Sequence, residues 1–153
     1  GVTTSYSSQN LQYYHDSTLS WCLPFLYKGC DGNDNNYKSP MDCSLSCILM
    51  DYYSCSGGKN ATGHCNGARI CPTGSRCVMG PFGFGICCDN EVEEAFEKEL
   101  KPKCDRGKSL VRKHTNRGWK PLLGRKCSHK FCPEGTDCVE GTYLAHCCRS
   151  TKA

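Results

Sequence analysis

Cysteine spacing constrains this chain more than any other feature. Sixteen of its 153 residues are Cys, and they fall into three clusters. The first is Cys22-x7-Cys30-x12-Cys43-x3-Cys47. The second is Cys55-x9-Cys65-x5-Cys71-x5-Cys77-x9-Cys87-Cys88, and the third is Cys104-x22-Cys127-x4-Cys132-x5-Cys138-x8-Cys147-Cys148. The last two are one pattern written twice, each with six cysteines, a closing adjacent pair and a central Cys-Pro-x-Gly-x-x-Cys. The later copy carries a long insert, Asp105–Lys126, between its first two cysteines. Six cysteines allow fifteen pairings per repeat, and spacing does not choose among them. Neighbouring cysteines rarely bond each other, because the local geometry is strained. Cys87 and Cys88 are therefore expected to reach different partners, and so are Cys147 and Cys148. The Pro-x-Gly element predicts a tight turn in each repeat.

This cysteine density marks a disulfide scaffold. Only 38% of the residues are apolar even with Cys counted among them, too few for one deep core. Cross-links are expected to do what burial does in larger domains. Cytosolic thiols are held reduced, so the expected route is secretion and the expected location extracellular. The first ten residues are polar and lack a leader's basic start and apolar stretch, as in a processed chain. No apolar run is long enough for a membrane span. Asn60-Ala61-Thr62 is the one N-glycosylation sequon, with Asn60 as acceptor.

Zinc fits poorly. Cys43-x3-Cys47 and Cys127-x4-Cys132 have knuckle spacing, but the adjacent pairs do not, and no spaced His pair accompanies them. No metal or other cofactor is expected. Five His are scattered, and Gly-x-Ser-x-Gly, HExxH and phosphate-loop motifs are absent. Bonded cysteines leave no nucleophilic thiol. The chain is expected not to be an enzyme.

Charge is uneven. Residues 1–100 carry six Lys or Arg against eleven Asp or Glu, and residues 101–153 carry thirteen against four. Within the insert Arg106, Lys108, Arg112, Lys113, Arg117, Lys120, Arg125 and Lys126 interleave with His114 and Trp119. Such a loop suits a polyanion, whether a sulfated glycan, an acidic protein face or anionic lipid. The bland alternative is a solvated loop that balances the acidic front. Nucleic acid fits the charge but not the compartment. Between the repeats, Val92, Ala95, Phe96 and Leu100 recur at helical spacing. They predict a short helix within 89–103, capped by Asp89 or Asn90, acidic in its first turn and ended by Pro102. A spacer packing on one repeat is the simplest role for it.

The front of the chain is the most specific part. Leu11–His15 and Trp21–Lys28 are aromatic-rich runs separated by Asp16-Ser17-Thr18, a hairpin signal. Ser39-Pro40-Met41-Asp42 reads as an N-cap, a Pro at the first helical position and an acid at the third. Cys43 and Cys47 then share one helix face. Tyr13-Tyr14, Phe25, Tyr27, Gly29-Cys30, Asn35-Asn36-Tyr37 and Asp42, set among Cys22, Cys30, Cys43 and Cys47, resemble a Kunitz domain over nearly forty residues. The resemblance implies a Cys22–Cys43 bridge and a buried Asn35 that ties loop backbone together. It places the inhibitory loop at residues 3–10, with primary specificity near Ser7 and with Ser8 beyond it.

Two departures matter. No Cys precedes Cys22, and the family's second cysteine aligns with Tyr6. Cys30 and Cys47 thus lose their usual partners. They could pair with each other, with the repeats, or with a segment or chain elsewhere. Ser7 also offers no charge to a trypsin-like pocket and suits at best an elastase-like one.

The two later clusters resemble lustrin-type cysteine-rich repeats, on the Cys-Pro-x-Gly-x-x-Cys cores and terminal Cys-Cys pairs. The expected fold is small, disulfide-rich and multi-module. A Kunitz-like α+β module of hairpin and C-terminal helix spans 1–50. A loop- and β-rich, cysteine-knotted repeat follows at 51–88, then a helical linker at 89–103 and a second repeat at 104–153. The expected function is non-catalytic recognition of an extracellular or cell-surface protein through disulfide-held loops. The alternatives are a serine protease inhibitor acting near Ser7 and a matrix or cuticle component.

Overall fold

The computed structural model describes residues 11–27, 34–47, 54–66, 69–80 and 83–151. Strands β1 (Leu11–Asp16) and β2 (Trp21–Leu26) form an antiparallel hairpin, with Leu11 opposite Leu26 and Asp16 opposite Trp21. Asp16 shapes the turn by accepting from the Leu19 amide at 3.0 Å. Helix α1 (Pro40–Cys47) begins where Ser39 Oγ accepts from the Asp42 amide at 3.1 Å. Pro40 stands at its first position, where a missing N–H breaks no helical bond. A disulfide joins Cys22 to Cys43, and Tyr13 and Tyr37 exchange two backbone hydrogen bonds of 2.8 Å. Asn35 accepts from the His15 amide at 2.8 Å and donates to the His15 carbonyl at 3.0 Å. It ties the loop to β1 as an exposed residue rather than a buried one, because β1 is an edge of a two-stranded sheet.

The first repeat is a three-stranded sheet of β3 (Gly63–Cys65), β4 (Ser75–Met79) and β5 (Gly85–Asp89), with β5 central. Its bridges are Cys55–Cys88, Cys65–Cys77 and Cys71–Cys87. Helix α2 (Asn90–Leu100) follows directly, capped by Asp89, whose carboxylate accepts from the amides of Glu91 and Val92. In the second repeat β6 (Lys108–Leu110) lies on one edge of the sheet. The next two strands, β7 (Arg112–Thr115) and β8 (Gly118–Pro121), pair only with each other as a ribbon. β9 (Leu123–Gly124) and β10 (Asp137–Glu140) both pair with β11 (Ala145–Ser150). The insert read as a loop is thus built mostly of strands.

The second repeat is bonded Cys104–Cys148, Cys127–Cys138 and Cys132–Cys147. Both repeats therefore join first to sixth, second to fourth and third to fifth cysteine. Strand geometry explains the adjacent pairs. Successive side chains on β5 and β11 point to opposite faces, so neighbouring sulfurs leave in opposite directions. All twelve repeat cysteines are used within their own repeat, which removes the repeats as partners for Cys30 and Cys47.

Two small apolar cores form. One lies in the second repeat, around Val111, Leu122, Phe131, Ala145 and Cys147. The other is shared between modules: Leu19 and Leu23 of the hairpin, Phe96 of α2 and Leu144 of the second repeat. Trp21 meets Phe96 edge-on at 5.3 Å. The inward side of α2 departs from the predicted stripe. Phe96 is buried, but Ala95 is exposed, and Glu93 and Glu99 turn inward in its place. Glu93 accepts from Ser56 N at 2.9 Å and Ser56 Oγ at 2.7 Å. Glu99 accepts from the amides of Tyr143 at 2.9 Å and Leu144 at 3.1 Å. The helix therefore links both repeats instead of packing on one. Gly58 permits the remaining contact. Its φ is +71°, and a Cβ there would lie 2.0 Å from the Thr18 carbonyl oxygen.

Candidate functional site

Ser7, Ser8 and Cys30 lie outside the described residues. The described framework is what carries them. Leu11 opens β1 four residues after Ser7 and packs against the core of the second repeat. Tyr13 is buried, with Lys113 Nζ donating to its hydroxyl and standing 4.5 Å from the centre of its ring. Cys47 is a thiol whose Sγ donates to Tyr37 Oη at 3.1 Å. That hydrogen bond is the main reason the Tyr37 hydroxyl titrates above its ordinary range.

At the closed end of the hairpin, Arg125 Nε lies 3.6 Å from Asp16 Oδ2, and Arg125 Nη1 donates to the Tyr143 carbonyl at 2.7 Å. Tyr14 donates to the same Asp16 oxygen at 3.1 Å. Burial first, and the Asp16 charge second, push the Tyr14 hydroxyl well above the usual phenol range. Tyr14 also meets His129 edge-on at 5.4 Å.

The basic candidates separate into two sets. Lys113 and Arg125 are turned into the hairpin contact, and Lys108 Nζ is paired with Asp137 Oδ2 at 2.7 Å. Three of the eight candidates thus already have partners within the molecule. The Tyr13 ring, the half-buried Asp16 and the exposed Asp137 compete for them. Arg106, Arg112, Arg117, Lys120 and Lys126 remain exposed. Beside the ribbon an open cleft of about 560 Å³ is floored by Leu11, Val111, Leu122 and Pro133, with Tyr13 and Trp119 in its walls. Among the described residues, Arg112, Lys113, His114 and Arg149 supply its ionisable cationic groups, and no Asp or Glu lines it. Arg149 was not singled out in the sequence because it follows the last cysteine pair, outside the basic insert. Register pairing across β11 and β6 brings it there, opposite Ser109.

Asn60 is exposed, two residues beyond the Ser56–Gly58 turn. Three groupings of Cys, His or Glu come close enough among the described residues to share an ion. Each contains bonded cystine sulfur, which lacks the thiolate charge that metal ligation uses.

The profile of the Kunitz/Bovine pancreatic trypsin inhibitor domain matches residues 3–48. A BPTI/Kunitz inhibitor domain-containing protein of Caenorhabditis elegans is 38% identical over 151 residues, covering 97% of this chain and 85% of that protein. The major allergen Ani s 1 of Anisakis simplex is 33% identical, over 92% of this chain and 76% of the allergen. The Kunitz-type serine protease inhibitor A of Rhipicephalus microplus is 52% identical over 33 residues, 22% of this chain and 27% of its own length. No solved structure matches the chain. Nearly full-length likeness to the nematode proteins, with the hairpin, helix and Cys22–Cys43 bridge at the front, shows that this chain belongs to the Kunitz/BPTI-domain proteins.

Proposed function

We propose that the chain is an extracellular, non-catalytic inhibitor that presents the segment around Ser7 and Ser8 to a serine protease. The anchoring of Leu11 and Tyr13 carries this reading. A Kunitz inhibitor binds tightly because its loop is already shaped, so little freedom is lost on docking. In the family, disulfides hold that loop. In this chain Tyr6 stands where the family's second cysteine would, and the second repeat supplies the restraint there. Leu11 is held by an apolar core, and Tyr13 is held by Lys113 and by its bridge to Tyr37. The tick relative whose name states serine protease inhibition supports the target class. Small, uncharged Ser7 selects an elastase-like pocket over a trypsin-like one. The two repeats, read as lustrin-type, buttress the Kunitz module.

The test is inhibition of pancreatic elastase, trypsin and chymotrypsin by the full chain. Elastase is expected to be inhibited and trypsin not. Lys113→Met is expected to weaken elastase inhibition at least about tenfold, a loss of ~1.4 kcal/mol in binding. Failure of the full chain to inhibit any of the three overturns the reading. A second reading, recognition of a partner other than a protease, is favoured by the unpaired cations of the β7–β8 ribbon.

A further inference from the structure

We infer that the cleft beside the β7–β8 ribbon is a binding site for a sulfated glycan chain. The inference does not depend on protease inhibition. It starts from charge that the fold leaves uncompensated. Arg112 and Arg149 line the cleft, and among the described residues neither has an acidic partner. Lys113 and Lys120 stand directly opposite each other across the ribbon. Like charges in that position destabilise a strand pair, and a free two-stranded ribbon is marginal to begin with. Tyr13 offsets Lys113, and a bound polyanion would offset Arg112 and Arg149 in the cleft.

The walls indicate which polyanion. Trp119 is 64% exposed, and His114 meets it at 5.1 Å in an edge contact. His114 and Trp119 are register partners on one side of the ribbon, with Arg112 two residues along the same side. An open aromatic ring beside guanidinium groups suits a sugar ring that stacks by its C–H face while its sulfates take bidentate hydrogen bonds from arginine. A membrane surface fits less well, because the ribbon's tip is Thr115-Asn116-Arg117-Gly118, with no apolar side chain to enter the acyl layer. A stable protein interface needs ~800 Å² on each side around a dry apolar centre. The ribbon offers instead an open cleft with Arg112 and Arg149 in its lining, a seat for a linear chain.

The test uses the full chain on heparin-agarose and, in solution, a heparin-derived tetrasaccharide followed by tryptophan emission. Of the two tryptophans, Trp21 packs on Phe96, so Trp119 is the expected reporter. Retention at about 0.15 M salt is expected. Arg112→Ser with Arg149→Ser should lower the slope of log affinity against log salt by about two, one for each cation lost. Trp119→Ala should weaken binding about tenfold and leave that slope unchanged. Arg69→Ser, an exposed change in the first repeat, should alter neither. Flow-through at that salt overturns the proposal. So does an affinity indifferent to the Arg112 and Arg149 changes. Binding to polyglutamate or phosphatidylserine vesicles as tight as to the tetrasaccharide overturns it in favour of an acidic protein or a membrane.

Discussion

Gly58 and Gly74 both hold positive φ, at +71° and +89°, yet they answer to different forces. At Gly74 nothing lies within 4 Å of where a Cβ would stand, so Gly74→Ala should cost only the left-handed backbone penalty, ~1–2 kcal/mol. At Gly58 the Cβ would also collide with the Thr18 carbonyl, which belongs to another module. Gly58→Ala should therefore be clearly the more destabilising of the two. Urea midpoints for the two variants check this, and equal midpoints would mean the modules do not meet at that turn. The glycine of the Pro-x-Gly turn was legible because turn chemistry is local. Gly58 was not, since its constraint arrives from a residue forty positions earlier in the chain. Asn35 falls between these cases. Its two hydrogen bonds follow from the family pattern, but its exposure depends on what covers β1.

The elements themselves were more readable than their contacts. The first hairpin, α1 with its Ser39 cap and α2 with its Asp89 cap rest on neighbouring residues, and neighbouring residues announced them. On the inward side of α2, Phe96 and Leu100 were legible, but Glu93 and Glu99 were missed because they look like solvent residues until the amides of Ser56, Tyr143 and Leu144 are brought to them. Two other elements carry a titration. His129, on the Cys127–His129 turn, is pushed below its ordinary value of 6.5 by burial first and the Lys126 charge second, with Asp16 and Glu140 opposing. His146 on β11 is lowered mainly by burial. A depressed folded value means that the unfolded chain takes the proton first. Stability is then complete above pH ~6.5 and falls as the pH drops through the folded values. Melting temperature should be lower at pH 5.5 than at pH 7.5 (both on the order of one pH unit from that midpoint). His129→Gln with His146→Gln should flatten the difference. An unchanged slope in the double variant would assign it to other groups.

At the scale of the molecule, disulfides share the work with a pooled apolar core. Hairpin, helix and second repeat share the core around Phe96, and no single module contains it. Composition counted the apolar residues but could not show that the few would be pooled at a junction. Calorimetry of the oxidised chain should accordingly show one transition, with calorimetric and van't Hoff enthalpies in agreement. Phe96→Ala should cost ~3–5 kcal/mol and should split or broaden that transition. Two well-separated transitions in the unaltered protein would show that the modules fold alone.

The ribbon has a root that closes on itself. The Leu122 amide donates to the Val111 carbonyl at 3.1 Å, and the Val111 amide donates to the Cys147 carbonyl at 2.9 Å. Whatever chain runs between these two residues begins and ends at the same buttoned seam, beside the covalent staples but not part of them. Residues 112–121 thus form a natural cassette. A foreign hairpin spliced there would be displayed on the scaffold much as a hypervariable loop is displayed on an antibody.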